Sequence, residues 1–217
     1  MSLTYPLDIL SDFPGWATLS LSHGDETSGQ AGGQVRVKNI RGPLWTMRAE
    51  TKRLMPSVFR AWKARLESLE NGKKTFLGYD MSACYPIRYP NGTWPTGNAF
   101  DGVSASVMSL PSSIALSLDG LPAAYQASVG DYLQFWTVDS PEQMAGLHQV
   151  VEPATANGSG ETPVFEVRPP LRQGVEVGSR VAVKRPAAIM MLVPGSLSTP
   201  AALDGRGTIS FEAIEVV

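Results

Sequence analysis

The chain has 217 residues and a formal net charge of −2, with 43% apolar and 18% charged residues. That length and apolar content allow one large β domain or two small ones with a buried core, while the near-neutral balance argues against the basic stripe of a protein wrapped on nucleic acid. Its one cysteine, Cys84, excludes an internal disulfide and points to a reducing compartment, and no run approaches the ~18 apolar residues needed to cross a bilayer.

Residues 1–15 carry Pro6 and Pro14 without a clear period and read as an extended arm with no secretion signal. Trp16–His23 alternates, Ala17, Leu19 and Leu21 against Thr18, Ser20 and Ser22, as a half-buried strand does. The stretch 24–33 reads as a flexible loop. Gln34–Ile40 alternates again, and after a turn at Gly42-Pro43 so do Trp45, Met47 and Ala49, which predicts a β-meander or hairpin.

One helix follows. Pro56 suits its first turn, Phe59, Trp62, Leu66 and Leu69 form one apolar stripe, and Gly72 suits its stop. The basic residues from Lys52 to Lys74 are spread around this helix and read as a solvated face. Lys73–Tyr79 returns as a strand. Residues 80–100 form a stiff connector with Tyr85, Tyr89 and Trp94, either an ordered crossing or a loop that presents these rings to a partner.

Strands are then predicted over Val103–Leu110, Ser113–Leu118, Tyr132–Val138, Leu147–Glu152, Val164–Arg168, Arg180–Lys184 and Ile189–Val193. Such spacing suggests a small barrel or sandwich. A linker over 194–206 leads to a last strand, Gly207–Val217, whose apolar phase switches after Ala213 and suggests a bulge there. A lone terminal strand must pair with something, and the first half is thin for an independent core. The expected fold is therefore mainly β with one substantial helix. A split N-terminal β domain, 1–82 plus 196–217, is completed by the C-terminal strand; 83–102 is a connector, and 103–195 an inserted β-barrel or sandwich.

Catalytic signatures are absent from the sequence. It contains no phosphate-cradling or dinucleotide glycine motif. His23 and His148 stand alone, without metal-ligand spacing. Cys84 as a nucleophile would need a base brought from elsewhere, for which His148 is the candidate. Asp80, Asp101, Asp119, Asp131 and Asp139 fall at expected turns, where aspartate is favoured for backbone reasons. Asn91-Gly-Thr93 and Asn157-Gly-Ser159 match the glycosylation pattern but read as turns. No enzyme, catalytic residue, metal or cofactor is expected.

Three phrases carry a resemblance. They are Phe59-Arg-Ala-Trp62 through Lys74-Thr-Phe-Leu-Gly-Tyr-Asp80; Val129-Gly-Asp-Tyr-Leu133 with Gly146-Leu-His-Gln-Val-Val151 and Val164-Phe-Glu-Val-Arg-Pro-Pro-Leu171; and Gly207-Thr-Ile-Ser-Phe-Glu-Ala213. In their order the chain resembles the distal tail proteins of long-tailed bacteriophages and prophages. The resemblance implies a virion protein assembled in the host bacterial cytoplasm. It would form a homohexameric ring between the tail tube protein and a baseplate or tip hub protein, with a split ring-forming β domain and an inserted barrel. A ring needs two different patches that meet, and open strand edges supply one. The residues expected at interfaces are Trp16, Leu19, Leu21, Val35, Val37 and Trp45 in the ring wall and Tyr85, Tyr89 and Trp94 in the connector. An outward barrel could hold accessory fibres or host glycan, with Trp136 as a stacking ring although core is its commoner role. The competing readings are a carbohydrate-binding β module and a polysaccharide-degrading enzyme using turn aspartates.

Overall fold

The computed structural model describes residues 3–29, 32, 33, 35–95, 97, 100–140 and 143–217. Its elements in chain order are β1 (Gly15–Gly29), β2 (Val35–Thr51), the helix α1 (Pro56–Glu67), β3 (Thr75–Gly78), β4 (Ala105–Ser112), β5 (Ala115–Asp119), β6 (Gln126–Ala127), β7 (Tyr132–Trp136), β8 (Met144–Val150), β9 (Ala154–Thr155), β10 (Phe165–Arg168), β11 (Arg180–Ala182), β12 (Ala188–Leu192) and β13 (Ser210–Glu215). They form an antiparallel five-stranded sheet in the order β1-β2-β13-β12-β3, a closed barrel in the order β10-β5-β4-β11-β7-β8, and the small pair β6-β9. The mainly β fold with one helix and a small barrel is as the sequence predicts.

The last strand returns to the first sheet and lies at its centre, between β2 and β12. Its inward side chains Phe211 and Ala213 are buried with Met47, Ala49, Phe76 and Met190. Over them lie Phe59, Trp62 and Leu66 of the helix, and Ile9, Leu10 and Phe13 of the N-terminal arm. Phe13 meets both Trp62 and Phe211 edge-on, at 5.4 and 5.9 Å between centroids, which favours the ring quadrupoles. The arm also pairs: Leu7 N–H donates to Thr75 O and Leu77 N–H to Leu7 O, which covers the outer edge of β3.

Five local expectations need correction. Residues 188–192, assigned above to the barrel, pair with β3 and β13 and belong to the open sheet; an apolar run alone does not say which sheet it joins. There is no turn at Gly42-Pro43, because β2 runs through it. Two register shifts against β1, at 22–24 and 24–25, absorb the residues of the expected turn, and 24–29 is strand rather than loop. The helix stops at Glu67, before Gly72. Gly72 instead closes a 3-10 turn with φ of +96°, where a Cβ would stand 2.5 Å from Leu192 O. Much of the 194–206 linker continues the β12–β13 hairpin as isolated rungs, Ser198 with Ser210 and Ala201 with Gly207.

The fifth correction concerns β13. Its pairing with β2 and β12 runs in register through Ala213, with no bulge. The apparent change of phase arises because the next inward position holds an acid, Glu215, which is buried. Arg172, from the barrel, reaches it at 2.8 Å and also donates to Pro43 O at 2.7 Å. Glu215 accepts the Trp45 backbone N–H at 3.1 Å, and the Trp45 indole N–H donates to Leu147 O on β8 at 2.7 Å. Sheet and barrel are thus joined by a buried ion pair and a tryptophan. Burial pushes the Glu215 carboxyl above its usual range, outweighing the nearby guanidinium.

Beside this pair, His148 is fully buried and its Nδ1 lies 2.8 Å from Pro169 O. Burial, opposed by the Pro169 carbonyl contact and aided by the Arg172 charge, lowers its pKa from 6.5 to about 4. The native ring is therefore neutral, with Nδ1–H donating. A Cβ on Gly146 would meet both Arg172 Cγ at 2.8 Å and His148 Nε2 at 3.1 Å, so glycine makes room for the cluster.

Removing one member of a buried pair strands the other charge. Arg172→Ala is expected to lower unfolding stability by about 3–5 kcal/mol, and Arg172→Met with Glu215→Met to recover most of it; urea denaturation of the three proteins checks this. For His148 the folded pKa lies below the unfolded one, so its contribution is present above pH 6.5 and lost as pH falls toward 4. The loss amounts to about 3 kcal/mol over that window. His148→Asn, whose amide can keep the bond to Pro169 O, should flatten the profile between those limits. Glu215 works in the opposite direction in both proteins, so their difference isolates the histidine.

Candidate interaction surfaces

A sheet whose far edge is covered by Leu7 has one open edge among the described residues, that of β1. This edge continues into a two-stranded ribbon. Beyond Ser22–Leu44 the strands β1 and β2 stay paired to Gly29–Val35, though almost every residue there is exposed. Eight residues of β1 at ~3.3 Å each carry the ribbon about 25 Å. Lys38 lies opposite Glu26, and Asn39 donates to Asp25 Oδ1 at 3.0 Å, so local polar pairs hold its register.

The ribbon also carries apolar side chains that its own chain leaves uncovered. Val35, Val37 and Ile40 are each more than 60% exposed. Trp16, at the other end of the same edge strand, is about half exposed. Isolated exposed valines need no explanation. Three on one strand of a projecting, paired ribbon make it the candidate interaction surface. Ile40 was not among the expected interface residues. Its signal, the spacing Val35, Val37, Ile40, is broken by the register shifts of β2 and so escapes a period-two reading.

The other expected residues are placed differently. Leu19 and Leu21 are half-buried beneath the sheet. Trp45 is 3% exposed and occupied by the sheet–barrel junction. In the connector, Tyr89 stacks on Tyr125 at 5.1 Å, accepts Gln126 N–H at its hydroxyl, and touches Trp94, which meets Phe100 edge-on. Tyr89 is buried in the barrel core and Trp94 packs on it, so the ordered-crossing alternative describes both. Asp131 pins the same connector by accepting Ile87 N–H at 2.7 Å and Ser128 N–H at 2.8 Å. Tyr85 is half-buried, with Lys184 Nζ over its ring at 5.9 Å.

The expected turn roles of other polar residues can be located. Asp80 accepts from Ser82 and Asp101 from Val103 N–H, while Asp119 ends β5 and accepts the Ser106 hydroxyl across the β4–β5 pair rather than within a turn. Asn157 closes its turn by accepting Ser159 and Glu161 N–H. Cys84 Sγ sits against the carbonyls of Asp80 and Met81, while His148 lies in the barrel–sheet junction. Among the described residues no three His, Cys, Asp or Glu side chains are grouped to hold a metal.

A second feature is concave. A cleft of about 320 Å³ opens between the β3 edge and the barrel, lined by Pro6, Asp8, Leu77, Tyr79, Trp136 and Arg185 among others. The Tyr79 hydroxyl donates to Asp8 Oδ1 at 3.3 Å, and Arg185 approaches Asp8 Oδ2 at 3.7 Å and overlies the Tyr79 ring at 5.5 Å. Burial, then the Asp8 charge, pushes the Tyr79 pKa up to about 12, so it is a hydroxyl donor at neutral pH.

The chain matches no protein-family model and no curated protein. Exposed positions outside the core change stability by about 0.5 kcal/mol or less. Replacing Val35, Val37 and Ile40 together by serine should therefore leave the melting temperature of dilute protein within a few degrees of the parent, as differential scanning calorimetry would record.

Proposed function

We propose that this protein is a structural ring subunit of a bacteriophage-type tail tip, joining a tail tube to a baseplate or hub. The observation that carries this reading is the open edge of the sheet at β1, the one open edge among the described residues, which continues into a ribbon exposing Val35, Val37 and Ile40. Ring closure needs a patch on one copy that meets a different patch on the next. An arm reaching about 25 Å from the body can cross a subunit boundary, and an unpaired strand edge can extend a sheet across it. The hexameric number and the identity of the neighbours come from the resemblance in the sequence.

The split sheet supports the reading in a second way. With β13 central, a large insertion can be carried between β3 and β12 without touching the β1 edge. One face assembles while the inserted barrel remains free for other contacts.

Light scattering on a sizing column tests this. The expected mass is near six subunits, either for the protein alone or after mixing with tail tube and hub proteins. The triple serine variant at Val35, Val37 and Ile40 should stay monomeric in the same mixtures while melting as the parent does. A parent that stays monomeric alone and with both partners, or a triple variant that assembles normally, overturns the reading.

A further inference from the structure

The cleft between β3 and the barrel is not part of the β1 edge, and its chemistry points to a ligand of its own. One wall is Trp136, whose ring holds the Arg180 guanidinium 4.1 Å from its centroid and also lines the cleft. Tyr79 and Leu77 of the edge strand, Pro6 of the arm and Met144 of β8 complete an apolar lining. The polar groups are few: Asp8, the Tyr79 hydroxyl and Arg185, with Gln134, whose Oε1 already accepts the Ala187 N–H at 2.9 Å. An apolar cavity with a small number of convergent polar groups is the usual form of a small-molecule site.

Arg185 is held there by its backbone. Its φ is +47°, a left-handed conformation that a non-glycine residue rarely adopts, and its N–H donates to Cys84 O at 2.7 Å. Such strain persists only where the surroundings impose it, and it clusters at ligand sites. The Asp8–Arg185 separation of 3.7 Å is too long for a close pair, and both side chains are partly exposed. Each retains capacity for a further hydrogen bond.

These features select among ligand classes. An anion would gain from Arg185 but meet the Asp8 carboxylate, and a cation would meet the reverse. A neutral hydrocarbon would leave both charges without new partners. A neutral molecule with one apolar face and adjacent hydroxyls satisfies all of them. The hydroxyls donate to Asp8 and to the Tyr79 oxygen and accept from Arg185, while the apolar face lies on the aromatic wall. A volume of about 320 Å³ suits one six-membered ring.

We propose that this cleft binds a neutral pyranose, with Trp136 as its apolar platform and Asp8 and Arg185 as the groups that orient its hydroxyls. The site uses residues of one chain only and does not depend on assembly into a ring.

Ligand-observed NMR on the full chain tests it, with glucose, galactose, mannose and N-acetylglucosamine as probes and glucose 6-phosphate as the charged control. At least one neutral sugar should bind saturably with a Kd of about 1–10 mM. Trp136→Ala should abolish the binding. Asp8→Asn, which keeps an acceptor toward Tyr79 and Ser11, should weaken it about tenfold with little change in melting temperature; should Trp136→Ala not fold, Asp8→Asn and Arg185→Lys decide. No saturable binding of any neutral sugar, binding that survives these substitutions, or tighter binding of the phosphorylated sugar than of glucose overturns the proposal. Because the readout is monomer binding, its failure leaves the ring reading intact, and failure of the ring leaves this test intact.

Discussion

The position of the last strand is the constraint on which the rest of the molecule depends. β13 lies between β2 and β12, so the N-terminal sheet has no continuous hydrogen-bonded centre until the final residues of the chain are in place. Local contacts cannot substitute for it. The β1–β2 hairpin alone is a two-stranded ribbon, which is marginal in water, and the helix needs Phe211 beneath Phe13 and Trp62 to complete its contact surface. The order of assembly is therefore set by long-range pairing, whose loop-closure entropy grows only slowly with the length of the insertion.

The same strand fixes how the two β units sit together. Glu215 is the last paired residue of β13, opposite Met190 of β12, and is buried where an apolar residue would ordinarily lie. A buried carboxylate is costly without partners, and here its partners come from both units: Arg172 from the barrel and the Trp45 backbone from the sheet. The pair adds little net stability compared with an apolar contact of the same shape. What it adds is specificity, since any other docking of barrel on sheet leaves two charges unpaired in an apolar junction.

Much of this architecture is legible in the sequence, and the parts that are not share a physical cause. Alternation such as Ala17, Leu19, Leu21 against Thr18, Ser20, Ser22 reports a strand with one wet face, and the helix stripe reports a period of 3.6; both were readable because each depends on local burial. Membership of a sheet is not local. Ala188–Leu192 is an apolar run that would suit the barrel equally well, and only its pairing with β3 and β13 places it in the open sheet. Polar residues at inward positions mislead in the same way: Glu215 mimics a bulge because its partner, Arg172, is 43 residues away. The aromatic connector left two readings open for a related reason, since the partner of Tyr89 is Tyr125 on a distant turn of the chain.

The two candidate surfaces illustrate the limit further. Val35 and Val37 were visible as a period-two pair, but their exposure follows from the ribbon extending past the body, which no residue of the ribbon encodes. The cleft is less legible still. Asp8 belongs to the arm, Tyr79 to the end of the first sheet, Trp136 to the barrel and Arg185 to the return strand's approach. Four segments, each unremarkable alone, meet because β13 and the Glu215–Arg172 pair hold barrel against sheet at one angle. A loosening of that junction would open the cleft before it disturbed the β1 edge, because Trp136 and Tyr79 lie on opposite sides of the junction while both strands of the ribbon lie on one. The junction therefore sets the geometry of the concave surface and leaves the projecting one independent of it.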